Sequence, residues 1–161
     1  MARTEGLTVA LVEQPYRVAG RRSPAPAARL DAAWIAVVAR LQERELRGLP
    51  LIVGGRSLGG RVACRTADAV GAIAVLCLAF PLQPRRRTGS PPPSRLPELE
   101  RVPVPTLVVQ GERDPFGIPP PSTERTVALV PGDHSLRADL GAVADAVRAW
   151  LPGALALTRS S

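Results

Sequence analysis

The chain has 161 residues, of which 45% are hydrophobic and only 3% aromatic; this excludes a disordered protein and predicts a folded core built mainly from Ala, Val and Leu. The net charge is +7, and all 21 basic residues are arginine. Because the arginines are scattered along the chain and not gathered on one element, the charge is interpreted as a composition bias, and a nucleic-acid partner is not expected.

No stretch near the N-terminus has the length or composition of a signal peptide or a membrane span, which predicts a cytoplasmic protein without membrane association. His134 is the single histidine. Cys64 and Cys77 are interpreted as small buried hydrophobic residues. The residues therefore offer no zinc ligand set, and neither a metal nor a cofactor is expected.

The first part of the chain alternates short apolar runs with helical patterns. Residues 7–12 form an apolar run that predicts a strand covered on both faces in a parallel sheet. Residues 14–26, rich in Pro, Arg and Gly, predict a loop, and residues 27–47 have the periodicity of an amphipathic helix. Strands are then predicted at residues 51–53 and 72–80, with a helix between them that ends near Val70.

The second part continues this alternation after a long interruption. Residues 81–103 form an excursion expected on the rim of the sheet; it contains Arg85, Arg86 and Arg87 and a short helical stretch at 96–100. The three arginines are interpreted as a solvated charge run, the alternative being attraction of an anionic substrate. Strands at 104–110 and 126–130 and a helix at 136–151 complete the pattern.

This order of elements predicts an α/β fold with a mostly parallel sheet flanked by helices. One domain is expected over residues 1–152, followed by a flexible tail over 153–161.

The segment Gly55-Arg56-Ser57-Leu58-Gly59-Gly60 lies between a predicted strand and a predicted helix. This is the setting of a nucleophile elbow, in which a serine occupies the tip of a strained turn and projects above the sheet. Gly55, Gly59 and Gly60 are expected to allow the strand and the helix to pass closely. Ser57 is the candidate nucleophile, and the Leu58 N–H is one candidate donor to an oxyanion.

Two further residues have the order and the positions of partners for Ser57. Asp114 follows one predicted strand and His134 follows the next, so both loops are expected at the same edge of a parallel sheet as the elbow. In such an arrangement the histidine accepts the serine proton and the aspartate orients the histidine. Asp133 is the alternative to Asp114; Asp114 is favoured because it lies at a strand end.

Four segments together resemble the small dienelactone-hydrolase-like α/β-hydrolases, the branch that includes a testis-expressed hydrolase-like protein and a scaffold subunit of a nuclear histone acetyltransferase complex. These segments are residues 54–63, 80–82, 105–117 and 132–136, with Asp114-Pro115-Phe116-Gly117 the most specific part. The resemblance implies a serine-hydrolase fold with Ser57, Asp114 and His134 in the triad roles. It does not imply a substrate. The predicted function is hydrolysis of a small ester, thioester or related acyl compound through an acyl-enzyme; the alternative is a non-catalytic hydrolase-like interaction module, since some relatives are interaction proteins.

The chain departs from this family at two places. Members carry an upstream strand and a Gly-rich loop that supply the second oxyanion donor, whereas only six residues precede Leu7, so we expect an N-terminally shortened fold. Either the sequence as given starts late, or another backbone group supplies this donor, or activity is weak. Residues 119–125 leave little room for a helix between the last two strands. That edge of the sheet is expected to be thinly covered and to favour self-association.

Overall fold

The computed structural model describes residues 2–4, 6–84 and 93–156, with the side chains of 2–4 left undescribed. The chain divides into two compact units, Met1–Leu49 and Pro50–Ser161. The single domain expected over residues 1–152 stays a prediction. Ser57, Asp114 and His134 all belong to the second unit.

The first unit contains a small hairpin and two helices. Strand β1 (Ala2–Thr4) pairs with strand β2 (Leu7–Val9) in antiparallel fashion, and Gly6 between them has a positive φ of 73°, which glycine adopts without strain. Helix α1 (Pro15–Val18) and helix α2 (Ala27–Glu43) follow. Leu30 and Val38 of the predicted apolar stripe of α2 are buried.

The placement predicted for residues 7–12 is wrong. Strand β2 pairs with β1 and does not belong to the parallel sheet, and Leu11 is 93% exposed. An apolar run favours a strand but does not specify which strand it pairs with, and here it pairs with a segment close to it in sequence. The predicted loop at 14–26 also contains the short helix α1.

The second unit is built on a four-stranded parallel sheet whose strands lie in sequence order, which confirms the predicted α/β class with a parallel sheet and flanking helices. The strands are β3 (Ile52–Arg56), β4 (Ala74–Leu78), β5 (Thr106–Gly111) and β6 (Arg125–Val130). The helices are α3 (Leu58–Thr66), α4 (Leu96–Glu100) and α5 (Leu140–Ala156).

The core of this unit lies on both faces of the sheet. Strand β5 is buried along its whole length, and Leu107 and Val109 on one face pack with Val130 and partly buried side chains of α5. Helix α3 packs against β3 and β4. A Cβ at Gly54 would lie 2.5 Å from the Leu76 carbonyl oxygen, so the absence of a side chain there allows the two strands to pair.

Two features of the later elements bear on the predictions. Helix α5 continues through Pro152 to Ala156, so residues 153–156 are helical and do not belong to a tail; residues 157–161 lie outside the described part. The described residues between Gly111 and Arg125 contain no helix, in agreement with the little room that residues 119–125 leave for one. Leu129 on the outer strand β6 is 52% exposed, and self-association through this edge stays a prediction.

The short helix predicted at residues 96–100 is confirmed as α4. Arg85, Arg86 and Arg87 lie outside the described residues, as does the rest of 85–92. Among the residues that are described, no helix is both long and apolar enough to cross a membrane.

Candidate active site

Ser57 occupies a strained turn between β3 and α3. Its backbone angles are φ 52° and ψ −111°, in a region that non-glycine residues rarely adopt and that surrounding contacts must hold in place. The Ser57 N–H donates a hydrogen bond of 2.8 Å to the carbonyl of Leu78 at the end of β4. The turn is therefore attached to the sheet, and it has the backbone conformation expected of a nucleophile elbow.

Two glycines allow this turn to close. A Cβ at Gly55 would lie 2.6 Å from the Gly59 carbonyl carbon, and a Cβ at Gly60 would lie 3.0 Å from the Gly55 carbonyl oxygen. A Cβ at Gly59 would meet nothing within 4 Å. The steric role expected of Gly59 is thus corrected: the close approach is made by its backbone, and the missing side chains that matter are those of Gly55 and Gly60.

The loop that carries His134 approaches the end of β5 through two further glycines. A Cβ at Gly111 would overlap the carbonyl oxygen of Asp133, and Gly132 has a φ of 112° with Ala138 beside its Cβ position. On the other side, Arg56 Nη2 donates a hydrogen bond of 3.3 Å to the His134 carbonyl. These contacts place the imidazole beside the elbow.

Ser57, His134 and Asp114 form one hydrogen-bonded chain. The distance from Ser57 Oγ to His134 Nε2 is 2.9 Å, and that from His134 Nδ1 to Asp114 Oδ2 is 2.8 Å. In this arrangement Nδ1 donates to the carboxylate, which leaves Nε2 as the acceptor for the serine proton. The structure thus brings together the three residues that the sequence placed at separate strand ends.

The Asp114 carboxylate is held by three donors. Oδ1 accepts a hydrogen bond of 2.9 Å from the Phe116 N–H, and Oδ2 accepts from both His134 Nδ1 and Gln110 Nε2, each at 2.8 Å. Its side chain is 0% exposed, whereas that of His134 is 19% exposed. A buried carboxylate needs such partners, and the more accessible imidazole lies where a reacting group can approach it.

Asp133, the alternative to Asp114, has a different role. Its carboxylate is exposed and accepts a hydrogen bond of 2.8 Å from the Ser135 N–H. The Ser135 backbone and side-chain hydrogen bonds hold the pKa of Asp133 below its ordinary value. Because it closes its own turn while Asp114 contacts the imidazole, Asp114 is the residue in position to orient His134.

Leu58 is the first residue of α3. The N–H groups of the first helical turn have no acceptor within the helix, and the N-terminus favours negative charge. The Leu58 N–H therefore follows Ser57 at the position expected for one donor to an oxyanion.

Sequence reasoning missed three residues that shape the site: Arg56, Gln110 and Phe116. The Phe116 ring lies 4.5 Å from the His134 ring, centroid to centroid, and Gln110 contacts Asp114 directly. Gln110 did carry a signal, since it is a polar residue that ends the apolar run of β5 and yet is fully buried. A buried amide needs hydrogen-bond partners, and the adjacent strand end supplies them.

Charged residues attach the described part of the rim to α3. Glu98 on α4 accepts hydrogen bonds from Arg61 and Arg65, and Arg95 Nη1 donates to the Pro81 carbonyl at 3.0 Å. Burial, followed by the nearby Arg61 charge, lowers the pKa of Arg95. Helix α4 is thereby fixed beside the helix that begins at the elbow.

Cys64 and Cys77 are buried free cysteines, as predicted, with their sulfur atoms 3.4 Å apart. The hydrogen bond with Cys64 and burial hold the pKa of Cys77 well above its ordinary value, which disfavours the nucleophilic thiolate. Within the described ranges, no group of three or more His, Cys, Asp or Glu side chains is arranged to hold a metal ion.

Comparisons with known proteins bear on the family and the fold. Residues 2–141 match the family model described as an alpha/beta hydrolase domain, whereas a search of curated proteins found no match. Similar solved structures include a lid-less α/β serine hydrolase from Xanthomonas campestris, with 21% identity over 81% of this chain and 61% of that chain and a TM-score of 0.57.

A second similar structure is an α/β serine hydrolase homologue from Coxiella burnetii, with 15% identity over 80% of this chain and 62% of that chain and a TM-score of 0.60. A third similar structure is of metagenome-derived lipolytic enzymes, with 16% identity over 85% of this chain and 75% of that chain and a TM-score of 0.56. At these identities the likeness concerns the fold. The chain spans about three fifths of the length of the Xanthomonas and Coxiella proteins.

Proposed function

Since the chain belongs to the α/β-hydrolase family, we propose that it is a serine hydrolase that cleaves a small ester, thioester or related acyl compound through an acyl-enzyme. The observation that carries the proposal is the hydrogen-bonded chain from Ser57 Oγ through His134 to the buried Asp114. The strained backbone of Ser57 at a strand-to-helix turn supports the same role.

The proposed reaction has two half-reactions, acylation and deacylation of Ser57, and His134 accepts and then donates a proton in each. Ser57 Oγ attacks the acyl carbon while its proton passes to His134 Nε2, and Asp114 stabilises the imidazolium that forms. The imidazolium then gives its proton to the leaving oxygen or sulfur, which departs and leaves an ester on Ser57. Water attacks this ester while its proton passes to His134 Nε2. The bond between the acyl carbon and Ser57 Oγ then breaks, the imidazolium returns the proton to Oγ, and the acid is released.

Negative charge on the acyl oxygen develops beside the start of α3. The Leu58 N–H is the donor that we assign to it, because it follows the nucleophile at the helix N-terminus. The loss of one oxyanion donor typically costs about 10²- to 10³-fold in kcat.

We also propose membership of the dienelactone-hydrolase-like branch. Support comes from Asp114-Pro115-Phe116-Gly117, where Asp114 accepts from the Phe116 N–H and Phe116 contacts His134, while Gly117 has a φ of 85°. A small-molecule acyl substrate and a cytoplasmic location remain part of the same proposal.

A fluorophosphonate probe tests the proposed function directly, since it reacts with serines that an adjacent base activates. We expect the wild-type protein to be labelled and Ser57→Ala to remain unlabelled. Ser135→Ala is a matched control, because Ser135 lies beside His134 but outside the hydrogen-bonded chain. A folded wild-type protein that is not labelled would refute the enzymatic proposal. The non-catalytic interaction module would then be the remaining function hypothesis.

A further inference from the structure

Gln110 is the second-to-last residue of β5 and is 0% exposed. Its Oε1 accepts a hydrogen bond of 2.9 Å from the Phe80 N–H. Its Nε2 lies 2.8 Å from Asp114 Oδ2, 2.8 Å from the Gly117 carbonyl and 3.1 Å from the Phe80 carbonyl. Since an amide nitrogen carries two hydrogens, these three acceptors share them, and the side chain is fully occupied.

These contacts join the segment that follows β4 to the turn that follows β5. Phe80 follows β4 on the rim side, whereas Asp114 and Gly117 belong to the turn that follows β5. Through one buried side chain, the carboxylate is therefore tied to the backbone of a neighbouring strand end. A buried hydrogen-bond network of this kind is rigid when every member has its partner.

The contact with Asp114 has a directional consequence. Gln110 Nε2 and His134 Nδ1 donate to the same oxygen, Oδ2, while Phe116 N–H donates to Oδ1. The two oxygens are thus held in fixed positions, and rotation of the carboxylate would break donors on both. With the Asp114 side chain 0% exposed, its carboxylate has no contact with bulk solvent, so a lost donor leaves a buried acceptor without that hydrogen bond.

We propose that Gln110 is a positioning residue for the serine hydrolase reaction: its amide holds Asp114 Oδ2 against His134 Nδ1 and so fixes the imidazole that activates Ser57. This inference rests on the proposed function. It also explains why an amide is suited to this position and a carboxylate is not. A carboxylate would place oxygen against the oxygens of Phe80, Asp114 and Gly117, which are all acceptors.

The test compares Gln110→Met with Thr106→Val. Thr106 is a matched control because it is buried on the same strand and donates to the Val104 carbonyl at 3.1 Å, four residues from Gln110 and away from the triad. A misplaced catalytic group can cost about 10²-fold, so we expect Gln110→Met to lower kcat and the rate of fluorophosphonate labelling by about that factor. KM and the Thr106→Val rates should stay within about threefold of wild type.

A second readout does not depend on activity. Since His134 is the only histidine, its Nδ1–H proton gives one unambiguous NMR resonance, and a strong hydrogen bond to Asp114 should place it far downfield. Gln110→Met should shift or broaden this resonance, whereas Thr106→Val should leave it in place. If wild type is not labelled by the probe, the proposed function fails, and this spectrum still tests the positioning of His134.

Gln110→Glu is a second variant that keeps the shape of the side chain and, when its carboxyl is protonated, keeps both a donor toward Asp114 and an acceptor for the Phe80 N–H. The introduced carboxyl donates to Asp114 only when protonated, so the loss of rate relative to wild type should shrink as pH falls from about 8 to about 6. Folded Gln110→Met with wild-type rates and an unmoved His134 resonance would overturn the proposal. Folded Gln110→Glu that keeps the wild-type labelling rate and the wild-type His134 resonance up to about pH 10, above the raised pKa values of buried glutamates, would overturn it as well.

Discussion

The ring of Phe116 lies 4.5 Å from the imidazole of His134, centroid to centroid, at an interplanar angle of 56°. The same residue donates its backbone N–H to Asp114 Oδ1. Phe116 therefore contacts two members of the hydrogen-bonded chain, one through its side chain and one through its backbone.

Replacing the Phe116 ring should weaken the site without disturbing Asp114. The backbone donor survives in Phe116→Ala, whereas a tilted aromatic contact worth about 1 kcal/mol is lost. That amount corresponds to about a fivefold fall in kcat/KM. Phe116→Leu, which keeps apolar cover over the imidazole, should lose less. Ester turnover by both variants checks the expectation, and full activity in Phe116→Ala would contradict it.

The two neighbouring carboxylates should differ sharply in their effect on activity. In Asp114→Asn the group facing His134 Nδ1 loses its charge, and a fall of about 10³- to 10⁴-fold in kcat is expected. Asp133→Asn should remain within about threefold of wild type, because its carboxylate is exposed and hydrogen-bonded within its own turn. Steady-state kinetics of Asp114→Asn and Asp133→Asn measure this difference. Equal losses of kcat in the two variants would contradict the assignment of Asp114 as the residue that orients His134.

Asp133 should instead contribute to acid stability. Because hydrogen bonds from Ser135 lower its pKa, the carboxylate stabilises the folded protein above its unfolded pKa of about 3.9, and this contribution is lost as pH falls through the lower folded value. The free energy of unfolding of Asp133→Asn should be below that of wild type at neutral pH and converge with it in acid. Urea titrations at several pH values measure this; a gap that widens in acid would have the wrong sign.

Alanine substitutions at Gly55 and at Gly59 should differ in their effect on the free energy of unfolding. A Cβ at Gly55 would lie 2.6 Å from backbone, so Gly55→Ala should lose about 1–3 kcal/mol of stability. At Gly59 a Cβ meets nothing within 4 Å, and Gly59→Ala should match wild type within about 1 kcal/mol. Denaturant unfolding measures both. If the Gly59 variant were the less stable of the two, the geometry of the turn described above would be incorrect.

Much of the site was predictable because its signals are local. A glycine-flanked serine between a strand and a helix specifies a strained turn, and the strand ends of a parallel sheet place Asp114 and His134 beside it. The α/β class followed from the same alternation. These features depend on short segments and on the rule that parallel strands present their carboxyl ends at one edge.

The remaining features depend on partners that a sequence pattern does not specify. Residues 7–9 pair with β1 in a hairpin, although their apolar character suits a central strand equally well. The sequence pattern predicts a steric role for Gly59, but a Cβ at this position would have open space around it, which only the folded structure shows. Gln110 contacts Phe80, which is distant in sequence, so only the folded structure reveals what its amide holds.

The most direct test of the central claim is the identity of the group acylated during turnover. Wild type mixed with p-nitrophenyl acetate and quenched rapidly should carry an acetyl group on Ser57, identified by peptide mass spectrometry, with release of p-nitrophenolate. Ser57→Ala should carry none, and His134→Ala should acylate far more slowly. Acetylation at another residue of wild type, or ester cleavage that persists at the wild-type rate in Ser57→Ala, would contradict the account.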